Sequence, residues 1–155
     1  MKVFIKNYSR FQNIRKDWNS DFGKYMSKIL AIDTFFMNED RHMHNIGVLM
    51  DAEEKYHLCP IFDNGAGLLS DIQMDYPMEE NINNLIEEVR SKTLCEDFDE
   101  QIEIAEELYG QQISLEFTKK DVKEILDMES YYPQEYKERV FEIIMSRRRK
   151  YRYLF

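Results

Sequence analysis

The sequence predicts a mainly α-helical domain that carries one small β-hairpin. Three observations predict it. Apolar residues recur at helical spacing in "FGKYMSKILAIDTFFM" and again through most of the second half of the chain. The period changes between Ile46 and Phe62, where two short β-like runs flank a polar turn. Glycine and proline are scarce, at five and three residues, which leaves little room for long flexible linkers.

The first helix begins near Ser20. Tyr25, Ile29, Ile32 and Phe36 form its apolar stripe, widened by Met26 and Leu30. It should stop near Met37, because Asn38 and the charges beyond it end the pattern. The segment up to Asn19 is ambiguous. "IGVLM" and "YHLCPIF" then read as two strands joined by "DAEEK". Pro60 makes the second strand short or places it at an edge. "DNGAGLL" reads as a loop. About four helices follow. "EENINNLIEEVR" sets Ile82, Leu85, Ile86 and Val89 on one face. "FDEQIEIAEELYG" stops at Gly110. "TKKDVKEILDM" opens with Thr118 and Asp121 near capping-box spacing. "PQEYKERVFEIIMSRRRKY" opens with Pro133 at a favoured early-helix position.

The 155 residues fit one domain, with residues 1–19 as a candidate peripheral segment. A domain of this size buries roughly two-thirds of its unfolded surface. Hydrophobic residues at 43% and aromatics at 14% supply a core. The net charge of −9 disfavours a general nucleic-acid surface. The basic stretch "SRRRKYR" reads as a solvated last helical turn with cations at the negative end of the dipole. Cys59 and Cys95 form neither a disulfide framework nor a metal knuckle, as in a reduced cytoplasmic protein. "MKVFIKNYSRFQ" lacks the apolar run of a signal peptide, and no run reaches the length of a membrane span.

The chemistry concentrates in "NEDRHMHN", Asn38 to Asn45. Two acids, two histidines, an arginine and two asparagines crowd into eight residues directly after an apolar helix end. Asp40 is followed five residues later by Asn45, and Asp63 stands eighteen residues beyond that. A hairpin between the two loops would bring an Asp, an Asn and a second Asp to one mouth. Phosphoryl transfer needs a base to orient the attacking hydroxyl, and oxygen ligands for Mg²⁺ on the phosphates. In that reading Asp40 is the base, and Asn45 and Asp63 hold the metal and, through it, the nucleotide. The same residue types also favour plain turns, where they bond nearby backbone. His42 and His44 form an H-x-H pair, but structural zinc wants four ligands and none is near apart from the acids already assigned.

"NEDRHMHNIGVL" followed by "LCPIFDNGAGLL" resembles the HipA-like serine/threonine kinases, in the branch with an N-x-D-R-H-x-x-N catalytic loop. Asp40-Arg41-His42 has the family's Asp-x-His order. Pro60-Ile61-Phe62-Asp63-Asn64-Gly65 matches its metal-binding segment. "CEDFDEQIEIAEELYG" and "FTKKDVKEIL" also look like its helical C-terminal part, so the resemblance runs from about Phe22 onward. It implies a protein-kinase-like C-terminal lobe that uses ATP and Mg²⁺ on a protein substrate, with His42 bracing the catalytic loop. It implies a DNA-binding antitoxin as a partner.

One departure matters. Only 39 residues precede Asp40, no glycine-rich loop stands before it, and Gly65-Ala66-Gly67 lies on its other side. Lys2, Lys6, Lys16, Lys24 and Lys28 have no strand context that marks an ATP lysine. The expectation is a C-lobe without its N-lobe, silent alone and completed by another chain or a longer product. A silent pseudokinase-like binding module, or a truncated toxin remnant, is the competing reading. A phosphoinositide-type kinase lobe, which shares D-R-H-x-x-N, is weaker, because only the final helix offers the basic surface a lipid calls for. Arg41 either pairs with an acid of the segment after Asp63 or faces solvent. Gly65 is expected to allow a backbone conformation that a side chain hinders, and Gly67 to do the same or to be incidental. The aromatics Tyr131, Tyr132, Tyr136 and Phe141 are expected to pack.

Overall fold

The structure, a computed structural model, describes residues 2–4 and 16–155. Lys6 and most of the unassigned N-terminal segment lie outside the described residues. The chain is mainly helical with a small antiparallel sheet. The order is β1 (Lys2–Phe4), α1 (Lys16–Phe36), β2 (Val48–Met50), β3 (Tyr56–Leu58), α2 (Ile82–Glu88), α3 (Phe98–Tyr109), α4 (Lys119–Met128) and α5 (Gln134–Lys150). None of these helices is long and apolar enough to cross a membrane.

α1 is the central helix. It packs against α3 and α5, and Ile29, Leu30, Ala31 and Phe35 are buried along it. Phe35 meets the rings of Phe36, Phe117 and Phe155. One core cluster joins it to Ile102, Val122, Ile144, Met145 and Leu154. A second gathers Met37, Leu69, Tyr76, Leu85, Phe98 and Ile143 beneath the candidate loops. α1 ends at Met37, whose φ of 53° breaks the helical path as a glycine usually does. Met37 is fully buried, so packing holds it in that conformation.

The hairpin forms where the period changes, and Asp51 organises its turn. The Asp51 carboxylate accepts from the Glu53 and Lys55 amides at 3.0 and 2.9 Å. β3 stops before Pro60, which cannot extend the ladder, and it lies at the sheet edge. The hairpin is not alone. β1 pairs with the other edge of β2, with Val3 opposite Leu49, so Lys2 does stand on a strand. The unpaired backbone of β2 is what that strand satisfies.

The later helices follow their local signals. Asn81 caps α2 and Asp97 caps α3. Thr118 and Asp121 close a full capping box on α4. Gly110 ends α3 at φ 71°. Pro133 stands one position earlier than expected, at the N-cap of α5. The basic end of α5 is not simply solvated. Arg147 is buried, donates to the Thr34 carbonyl at 2.7 Å and to the Tyr151 hydroxyl at 2.8 Å, and lies over the Tyr151 ring. Lys150 pairs with Asp99. α5 packs its last turn against α1, and arginine there supplies a donor to the Thr34 carbonyl near the end of α1. The aromatic expectation also fails in part. Phe141 packs on the core, but Tyr131 is 95% exposed and Tyr132 is exposed with Tyr136 stacked on it.

Candidate active site: two loops joined by Arg41

The polar loop follows α1 at once. Asn38 donates its amide to the Asp33 carbonyl and its Nδ2 to Asp33 Oδ1, both at 2.9 Å. Asp33 is buried inside α1, so the loop is anchored to the helix it leaves. Asp40 is exposed, and its backbone carbonyl accepts from Asn45 Nδ2 at 3.0 Å. A short 3-10 turn, Met43–Asn45, closes the loop. His42 caps that turn, its Nδ1 accepting from the His44 amide at 3.2 Å. His42 Nε2 stands 3.9 Å from the Asp40 carboxylate, beyond hydrogen-bond reach. His42 thus braces the loop, and it faces the exposed Asp40 carboxylate without a hydrogen bond. The His42 and His44 rings pack edge to face, and no group of three or more His, Cys, Asp or Glu gathers around a metal-sized space among the described residues.

Arg41 makes neither of the contacts expected of it. It is fully buried. Its Nε and Nη2 hold the two Asp33 oxygens at 2.8 and 2.9 Å. Its Nη1 donates to the Asn45 carbonyl at 3.1 Å and also to the Phe62 carbonyl. Nη2 reaches the Asn64 side chain as well. One guanidinium therefore joins the helix, the loop carrying Asp40 and Asn45, and the residues on both sides of Asp63. A planar fork with five donors can do this, and an ammonium cannot. Sequence spacing did not show this role, because three of the four partners lie eight to twenty-three residues away.

Asp63 itself has φ 56°, a left-handed conformation that aspartate tolerates better than most residues. Its side chain is exposed, and no hydrogen bond or ion pair with another described residue engages its carboxylate. Asn45 is buried with Nδ2 already donated, which leaves Oδ1 as its available atom. A free carboxylate and an amide oxygen on two clamped loops are the hard oxygen donors that Mg²⁺ takes. The donor set fits that ion.

Gly65 departs from expectation, while Gly67 follows the first of its two readings. Gly65 has no left-handed φ, and a Cβ there would meet nothing within 4 Å. The unusual backbone belongs to Asp63, Leu68 and Leu69 instead. Gly67 is the constrained one. The Leu68 amide caps α1 by donating to the Phe36 carbonyl at 2.7 Å, and a Cβ on Gly67 would sit 3.1 Å from that oxygen. Gly67→Ala is expected to cost about 1–2 kcal/mol, as overpacking against backbone does. Gly65→Ala should leave the urea midpoint within about 0.5 kcal/mol of the native value. Equal effects would contradict this assignment.

Comparisons of this chain with protein-family models, with curated proteins and with solved structures find no match.

Proposed function

We propose that this chain is the catalytic lobe of a kinase resembling the HipA-like serine/threonine kinases, which moves the γ-phosphate of ATP to a protein hydroxyl. The observation that carries this reading is the Arg41 bridge. It ties the loop bearing Asp40 and Asn45 to the residues flanking Asp63, so the backbones that carry the three candidate side chains are joined through one guanidinium. Phosphoryl transfer asks for positioning above all.

Asp40 would accept the hydrogen bond of the acceptor hydroxyl and orient it. Its carboxylate is exposed and has no hydrogen bond of its own among the described residues. Asn45 Oδ1 and Asp63 would hold Mg²⁺, which neutralises charge on the nucleotide phosphates when bound. His42 keeps the loop shape through its cap on the 3-10 turn. A phosphate-covering loop and an ATP lysine would come from an N-lobe in another chain or in a longer product. A DNA-binding antitoxin remains a partner by resemblance alone.

A second reading has one observation in its favour. Met128, Tyr131 and Tyr132 are exposed together near the α4–α5 connection, a surface that suits a silent binding module. A lipid kinase is less favoured, since Arg147 of the basic helix end is buried and Lys150 is paired. The test is labelling of a protein acceptor from γ-labelled ATP, by the chain alone and with a glycine-rich sheet domain added. Labelling that depends on that domain supports the kinase reading. No labelling in either case, with the domain folded and bound, contradicts it and favours the binding module.

A further inference from the structure

The segment Ser70–Met78 contains neither helix nor strand. Its shape comes from Asp71, whose carbonyl accepts from the Asp75 and Tyr76 amides and whose carboxylate accepts from the Met74 amide at 3.1 Å. Side chains tie this turn to its surroundings. From α5, the Tyr136 hydroxyl donates to the Ser70 carbonyl at 3.3 Å. Also from α5, the buried Arg139 donates to the Pro77 carbonyl at 2.9 Å and the Tyr76 carbonyl at 3.0 Å. Toward the loop after Asp63, the Ser70 hydroxyl donates to the Gly65 carbonyl at 2.7 Å. A further tether runs toward the polar loop. The Tyr76 hydroxyl donates to Glu39 Oε2 at 2.7 Å.

Glu39 directly precedes Asp40. Its amide donates to the Ala66 carbonyl at 3.4 Å, so it is held by the loop after Asp63 as well. The Asp40 carboxylate has no hydrogen bond of its own among the described residues, so the backbone on both sides of it, at Glu39 and at the anchored Arg41, sets where it stands. Burial, and then the bonded Glu39 carboxylate, push the Tyr76 phenol well above its ordinary value, which keeps it a donor.

We propose that the Tyr76–Glu39 bond is a latch that trims the position of Asp40, on the N-terminal side of the Arg41 clamp, while the Ser70–Met78 segment is docked on α5. Tyr76 and Glu39 are positioning residues in this scheme. It rests on the kinase reading for the role of Asp40. The tip of the segment is open to solvent, with Met74 80% exposed. Contact there would be relayed through one hydrogen bond and one peptide unit to the base.

The test is amide hydrogen exchange of the whole chain without nucleotide, then with Mg²⁺–ATP. Tyr76→Phe keeps the ring in its core cluster and removes only the hydroxyl. In the absence of nucleotide it should exchange roughly tenfold faster at amides 38–42 and 71–78, as loss of a hydrogen bond to a charged group predicts. The α5 and hairpin amides should not change. Glu39→Ala should give the same pattern, and the double variant should be no worse than either single one. Exchange at 38–42 that stays native in Tyr76→Phe overturns the latch, as does simple additivity. With Mg²⁺–ATP the native chain should gain protection at 71–78, and Tyr76→Phe should not. A native chain that shows no nucleotide effect, even with its N-lobe supplied, counts against the kinase reading, and the nucleotide-free result still decides the latch.

Discussion

Arg41→Met is expected to lower the unfolding free energy by about 3–5 kcal/mol, read as a fall in the urea midpoint. The size follows from what the guanidinium leaves behind. Asp33 is buried and ion-paired to it at 2.8 Å, so removal strands a carboxylate inside α1 with only Asn38 as a donor. The Asn45 and Phe62 carbonyls and the Asn64 side chain lose the same donor at once. Methionine fills the volume but makes none of these bonds. Arg41→Lys should recover less than half the loss, because a point charge cannot span four partners. A loss under about 1 kcal/mol for Arg41→Met would mean that the two loops hold together without it.

Asp40→Asn should behave in the opposite way. Phosphoryl transfer should fall about a hundredfold to ten-thousandfold, the range of a lost general base. Stability and Mg²⁺–ATP affinity should stay close to native. The Asp40 side chain is exposed, and Asn45 bonds to its backbone carbonyl rather than its carboxylate, so the loop shape does not depend on the charge. The measurement is the rate of labelling with the N-lobe present, beside nucleotide affinity for the same protein. A matching loss of affinity would make Asp40 a binding residue. An unchanged rate would remove it from the reaction.

How much of this was legible in the sequence depends on the range of each interaction. The end of α1, the hairpin, the Thr118–Asp121 box and the Gly110 stop are written within a few residues, and the structure has them. Helix periodicity carried the Tyr25, Ile29 and Leu30 stripe for the same reason. The Asp40, Asn45 and Asp63 pattern was legible only as spacing, and their chemistry is what the proposed experiments test.

What was not legible is long-range. Nothing near Arg41 says that its fork will turn inward to Asp33 and across to Phe62, since an arginine in a polar loop also suits solvent. The Tyr76–Glu39 bond joins residues 37 positions apart. Arg147 looked like one more cation in a basic tail until α5 was seen to lay its last turn on α1. The glycine argument failed at Gly65 because composition marks where strain is tolerated rather than where it falls. Asp63, Leu68 and Leu69 take the left-handed φ values while Gly65 does not. β1 was invisible because three residues carry almost no periodic signal, and its partner edge lies more than forty residues on.

The most direct test of the central claim is calorimetric titration of Mg²⁺–ATP into the native chain and into Asp63→Asn, each alone and with a candidate N-lobe. The account predicts binding by the native protein, with N-lobe present if not without it. That binding should disappear in Asp63→Asn, whose free carboxylate is the strongest oxygen donor on the two clamped loops. Equal binding by both proteins, or none by the native chain in either setting, would contradict it.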